Sequence, residues 1–112
     1  MPVDEAIPVL RVTDVAQSVE WYGRLGYVQE WLHRFGRSFP AFASIARDGH
    51  ARLFLSEHEG DANDKTLVYI RVPDVEAVAK SFAAELVDQP WAQEAHLTDP
   101  DGNRLRVGTP RS

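Results

Sequence analysis

Groups equipped for chemistry are sparse and scattered in this 112-residue chain. His58 stands among Glu57, Glu59 and Asp61, which have the atom types of a metal site. The cluster falls in the polar stretch 57–65, where a solvated run of charge is the plainer reading. His33, His50 and His96 have no motif partner and read as surface or crevice residues. Glu30, Glu94 and the pair Asp99/Asp101 are carboxylates of the kind that serve as general acid and base. The two aspartates, however, flank an Asp-Pro-Asp-Gly turn, where Asp is favoured for local hydrogen bonding. There is no cysteine, hence no disulfide, thiolate ligand or cysteine nucleophile. No Ser-His-Asp spacing, phosphate loop or dinucleotide fingerprint occurs, and Gly23, Gly26 and Gly36 do not form one.

With so little local chemistry, the elements that carry these residues decide more than the residues alone. The composition, 44% apolar and 26% charged, is that of an ordinary folded chain, and the length suits a single domain, 1–112, with one modest core. The net charge of −5 argues against nucleic-acid binding through bulk electrostatics and leaves a cationic ligand open. Met1-Pro2-Val3-Asp4-Glu5 has neither a basic region nor an apolar run, so no signal peptide and no membrane span are expected. The missing cysteines fit a cytoplasmic setting.

A repeat sets the architecture. Arg11-Val12-Thr13-Asp14-Val15 returns as Arg71-Val72-Pro73-Asp74-Val75. Each copy closes an apolar run, Ile7 to Val12 and Leu67 to Val72, and opens a helical stripe. The stripes are Val15, Val19, Tyr22 and Leu25, and Val75, Val78, Phe82 and Leu86. Asp14 and Asp74 are placed as N-caps, Gln17 completes a capping box, and Gly26 supplies a left-handed stop. Asp48-Gly49 before Arg52-Leu53-Phe54-Leu55 matches Asp101-Gly102 before Arg104-Leu105-Arg106-Val107, a hairpin signal in both halves. Further strands fit 27–35 and 39–47, and more weakly 87–90 and 93–98. The reading is α+β, with two tandem βαβββ modules, about 5–57 and about 65–109.

Strand alternation then divides the side chains. One face carries Leu10, Val12, Leu53, Leu55, Val68, Ile70, Val72, Leu105 and Val107, all apolar and suited to pack on the helices. The other reads Ile7, Val9, Arg11, Arg52, Phe54, Ser56, Leu67, Tyr69, Arg71, Arg104, Arg106 and Gly108. That mixture suits a ligand cleft or a subunit contact better than a second core.

The same residues carry a family likeness over nearly the whole chain. Pro8-Val9-Leu10 with Asp14-Val15, Trp21-Tyr22 with Leu25-Gly26-Tyr27, Arg52-Leu53-Phe54-Leu55-Ser56, Pro90-Trp91, and Leu97-Thr98-Asp99-Pro100-Asp101-Gly102-Asn103 resemble the vicinal-oxygen-chelate superfamily. That superfamily comprises glyoxalase I, extradiol dioxygenases and the bleomycin-resistance proteins, and the combination looks most like the last. The resemblance implies a curved, cup-shaped mixed sheet with helices on the convex face. It also implies a homodimer whose N-terminal strand is exchanged about a hinge near Pro8.

In the superfamily's enzymes four strand positions hold a metal; here they are Ile7, Phe54, Leu67 and Arg106, none of them able to bind a divalent ion. No metal and no cofactor is therefore expected, and the resemblance implies a non-catalytic small-molecule binder. The resistance proteins stack a flat aromatic tail of bleomycin and attract its cationic end. The matching aromatic positions are Phe42 and Trp91; Phe54 and Ser56 on the concave strand, Trp31 as a wall, and Tyr69, Arg71 and Arg106 of the same mixed face complete the expected ligand-binding set. The five arginines at 11, 52, 71, 104 and 106 depart from that pattern and admit an anionic aromatic ligand instead. A lyase or dioxygenase with a site relocated near His33, His96, Glu57 or His58, and an interaction module whose cup receives a protein, are the other readings.

Overall fold

The computed structural model describes residues 3–111. Module one runs β1 (Val9–Arg11), α1 (Val15–Gly23), β2 (Tyr27–Arg34), β3 (Ala41–Arg47) and β4 (His50–Ser56). Module two repeats the order as β5 (Leu67–Arg71), α2 (Val75–Ser81), β6 (Val87–Asp88), β7 (Ala92–Thr98) and β8 (Arg104–Pro110). Each module is a four-stranded mixed sheet, ordered β1-β4-β3-β2 and β5-β8-β7-β6, in which the first strand runs parallel to the last. The expected α+β fold of tandem βαβββ modules is what the chain adopts.

Helix starts follow one design. Asp14 and Asp74 sit in non-helical conformation and accept from the backbone N–H three residues on, at 3.3 Å in each case. A second orphan donor is met from the far end of the sheet: Val15 N–H donates to Glu57 Oε2 and Val75 N–H to Thr109 Oγ1, both at 2.8 Å. Glu57 and Thr109 each follow a register-matched residue, Ser56 opposite Arg11 and Gly108 opposite Arg71. Glu57 is thus a structural cap, because its other oxygen accepts from Ala41 N–H at 3.0 Å.

The stops differ. After α1 the chain turns through Gly26 at φ +93°. Helix α2 ends at Ser81 and Ala83 takes φ +51°, so Leu86 falls off the expected stripe and is exposed, while Phe82 packs on Trp21.

All nine residues of the apolar face are buried, and they join Tyr22, Leu25, Ile45, Val75 and Val78 in one core cluster spanning both modules. Burial of each aliphatic side chain contributes about 1.5–3 kcal/mol before chain entropy is subtracted. The two hairpins are not equivalent. Asp48 and Gly49 both have positive φ, +52° and +75°, the two-residue turn that suits strand twist. Between β7 and β8 the loop is five residues, and Asp99 organises it: its Oδ1 accepts from Asp101 N–H at 2.8 Å and from Asn103 N–H at 2.9 Å.

Candidate functional site

Strand register makes the faces opposite the helices directly comparable. Val9 lies beside Phe54 and Phe54 beside Ser44; in module two Tyr69 lies beside Arg106 and Arg106 beside His96. One step along, Phe42 faces Ser56 and Glu94 faces Gly108. Phe42, Ser44, Phe54 and Ser56 therefore occupy the places of Glu94, His96, Arg106 and Gly108.

In module one the face is aromatic. Trp31 stacks on Phe42 with ring centroids 6.0 Å apart and rings 16° from parallel, and both rings contact Phe54, at 5.5 and 5.2 Å. Trp31 is 45% exposed, so its indole offers a planar surface to solvent. A bulge between Gln29 and Trp31 explains how β2 contributes twice to this face. Glu30, the residue inserted at the bulge, also turns inward, accepting from Ser44 Oγ at 2.8 Å and from Arg52 Nε at 2.8 Å. The Arg52 and Ser44 hydrogen bonds hold its carboxyl below the ordinary value. Arg52 reaches Glu5 as well, at 3.2 Å.

Beside the aromatic trio lies an open pocket of about 350 Å3, whose wall includes Trp31, Phe42, His33 and Phe35 and whose rim carries His58 and Asp61. The polar loop after β4 thus reaches the cleft rather than standing free in solvent. Ser56 anchors it: the hydroxyl is buried, donates to Asp61 Oδ2 at 2.6 Å and accepts from His58 N–H at 3.1 Å.

In module two the same face is a charge network around Glu94, whose side chain is fully buried. Its Oε1 accepts from Arg106 Nη2 at 2.6 Å and Nε at 3.1 Å and bonds His96 Nε2 at 3.0 Å; Oε2 accepts from Trp91 Nε1 at 2.8 Å. Burial works to raise this carboxyl, but the hydrogen bonds from His96, Arg106, Trp91 and Tyr69 outweigh it and hold it at about 2. Tyr69 is raised in turn, first by burial and then by Glu94.

The eight residues expected to line a ligand site therefore divide. Trp31, Phe42 and Phe54 form one cluster, with Ser56 beneath its rim. Tyr69, Trp91 and Arg106 gather around Glu94, and Arg71 is exposed two residues beyond Tyr69. Of the five inward arginines, Arg52 and Arg106 are neutralised by Glu30 and Glu94, and Arg11 bonds to the Val12 carbonyl. Glu94 is the functional-face residue that sequence reading undervalued; the signal was its alternation with His96 on one strand, opposite Arg106. His33, His58 and Asp61 share one pocket, while Glu57 is committed to its caps. Among the described residues no three His, Asp or Glu side chains converge as a metal site would require. Ile7 and Leu67 supply hydrocarbon, and Phe54 and Arg106 occupy the remaining two positions described above.

Asp99 and Asp101 serve the fold. Asp99 accepts from the Tyr22 hydroxyl at 2.8 Å and Asn103 Nδ2 at 3.0 Å, and Asp101 accepts from Thr13 Oγ1 at 2.8 Å. Burial, followed by the charge of Asp99, pushes the Tyr22 phenol far above its ordinary value. Among the described residues no helix is long and apolar enough to cross a membrane.

The profile of a family described as glyoxalase superfamily protein matches residues 1–111. Among solved structures, TnmS3, an antibiotic-binding protein from Streptomyces sp. CB03234, superposes with a TM-score of 0.77 at 18% identity, over 99% of this chain and 100% of that one. A bleomycin-binding protein complexed with bleomycin gives 0.72 at 21% identity, over 97% and 100%. A glyoxalase-related enzyme from Clostridium phytofermentans gives 0.76 at 19%, over 99% and 98%. Likeness at these identities establishes the fold. No protein with a curated description matches in sequence.

Proposed function

The chain belongs to the glyoxalase superfamily, and from that premise we propose that it binds and sequesters a small planar aromatic molecule, of the bleomycin type, without transforming it. One observation carries the reading: the Trp31–Phe42–Phe54 cluster, in which an exposed indole packs on two half-buried phenyl rings. Stacked rings offer large contact area with few rotamers to freeze. The Asp61 carboxylate on the rim of the same pocket supplies attraction for a cationic tail.

The likeness to an antibiotic-binding protein and to a bleomycin-binding protein supports a binding role. On the same reading the protein acts as a single domain in the cytoplasm and confers resistance by holding the drug. It does so as a homodimer, exchanging the N-terminal strand about Pro8. Within one chain β1 pairs in parallel with β4, Val9 beside Phe54.

Calorimetric titration with bleomycin tests the assignment. Micromolar or tighter binding is expected, weakened about tenfold by Trp31→Ala through loss of one stacking surface. No heat at micromolar drug rejects the bleomycin-type ligand. Unchanged affinity in Trp31→Ala rejects the site.

A further inference from the structure

We propose that module two carries a separate anion site, in which Arg106 and Arg104 bind the carboxylate or phosphate of a small organic acid. A pocket of about 370 Å3 opens over β7 and β8, lined among others by Arg104, Arg106, His96, Gln89 and Leu67. The inference stands on this module alone and does not depend on the aromatic cluster.

Burial decides the sign of the field here. The Glu94 side chain has no exposed surface, whereas that of Arg106 is 32% exposed, so an incoming group meets the guanidinium and not the carboxylate. Glu94 engages Nε and Nη2 of Arg106. A guanidinium has five N–H donors, so the Nη1 pair and the outer Nη2 hydrogen remain for a ligand. Because Glu94 is itself held by His96 and Trp91, the fork is fixed before any ligand arrives.

Arg104 lies two residues earlier on the same strand, hence on the same face, and among the described residues it has no ion-pair partner. With Glu94 balanced by Arg106, the charge of Arg104 is left over, a local positive field in a chain of net charge −5. Leu67, directly beside Arg104 in register and 47% exposed, supplies an apolar wall for a hydrocarbon skeleton. Two guanidinium groups beside an apolar wall suit an oxyanion carried on an organic body.

The test compares 2-naphthoate, 2-naphthyl phosphate and the neutral 2-naphthamide by calorimetry at low ionic strength. At least one anion is expected to bind about tenfold or more tightly than the amide, the scale of one charge-assisted pair. That preference should shrink with added salt, fall to about threefold or less in Arg104→Gln, and persist in Trp31→Ala. The better of the two anions identifies the source of the oxyanion. Equal affinity of amide and both anions overturns the proposal, as does a preference that survives both Arg104→Gln and Arg106→Lys. Loss of the preference in Trp31→Ala overturns it too, by moving the anion to module one. Arg104 is exposed and outside the Glu94 network, so Arg104→Gln keeps the test decisive if Arg106→Lys fails to fold.

Discussion

Phe42, Ser44 and Phe54 in module one stand where Glu94, His96 and Arg106 stand in module two, on matched strands of a duplicated unit. One set places two aromatic rings, partly open to solvent, about a buried serine; the other surrounds a buried carboxylate that nearly every neighbour must hydrogen-bond. The contrast shows what a repeat conserves. The helix-facing side of both sheets keeps the same aliphatic character because it must fill one shared core. The opposite face has no such obligation, and each module fills it with different chemistry. Outer strands diverge with the faces: β2 has eight residues and brings Trp31 to the cleft, whereas β6 has two and Trp91 reaches Glu94 from the loop beyond it.

The turns before the last strands diverge as well, and there the largest effect is expected. Asp48-Gly49 is a local reversal, but the Asp99–Asn103 turn reaches across to module one, through Tyr22 and Thr13 and through Asn103 Nδ2 on the Arg11 carbonyl at 3.0 Å. Asp99→Ala leaves a buried phenol, one N–H of the Asn103 side-chain amide and two backbone N–H groups without acceptors, and urea unfolding should show a loss of about 3 kcal/mol or more. Asp48→Ala should cost only about 1 kcal/mol, the strain of Ala in a left-handed conformation. Equal costs would remove the distinction between a local turn and one that joins the modules.

Acid should separate the two carboxylates that face the cleft. Glu94 is held at about 2, below the roughly 4.3 of an unfolded glutamate. A carboxyl depressed in the folded state adds stability that is fully present above its unfolded value and is lost as pH falls through its folded value. Thermal midpoints of the wild type should therefore drop between about pH 4.5 and about 2 more steeply than those of Glu94→Gln, and the two curves should converge at the acid end. Glu30 is also depressed, by Arg52 and Ser44, but its side chain is partly exposed, and Glu30→Gln should flatten the profile less. Parallel curves for wild type and Glu94→Gln would break the assignment of acid sensitivity to module two.

Much of this was legible in the residues before any coordinates. The Arg-Val-x-Asp-Val repeat gave both caps, and strand alternation gave the core face, because period two and period 3.6 follow from backbone geometry alone. The face of Trp31 was not legible: a bulge at Glu30 resets the alternation, and nothing local in Gln29-Glu30-Trp31 announces it. Nor was the role of the acidic loop. Glu57 and Asp61 read as solvated charge, yet one caps α1 and the other holds Ser56, since their partners lie far away in sequence or inside the fold. Helix α2 ran short of its apolar stripe because Ala83 adopts a left-handed conformation that its residue type does not favour.

The smallest predicted effect concerns Gly108, the counterpart of Ser56. A Cβ placed there would lie 2.1 Å from the Tyr69 hydroxyl oxygen and 2.9 Å from Cζ, so the glycine makes room for the ring that reaches Glu94. In module one the residue matched to Tyr69 is Val9, too short to cross the strand, and a serine fits. If that is the reason for the glycine, its cost depends on the tyrosine. Gly108→Ala alone should displace the half-exposed Tyr69 ring, weaken its contact with Glu94 and lose about 1 kcal/mol or less, with the Tyr69 phenol moving back toward its ordinary titration range. In a Tyr69→Val background the same change should cost nothing or stabilise by about 0.5 kcal/mol, because the unfolded chain loses backbone freedom and the methyl group then meets only Glu94 Cγ, at 3.4 Å. A double-mutant cycle reads the difference. Additive energies would mean that glycine and tyrosine are independent, and the polar face of module two would then need another account of how its tyrosine is seated.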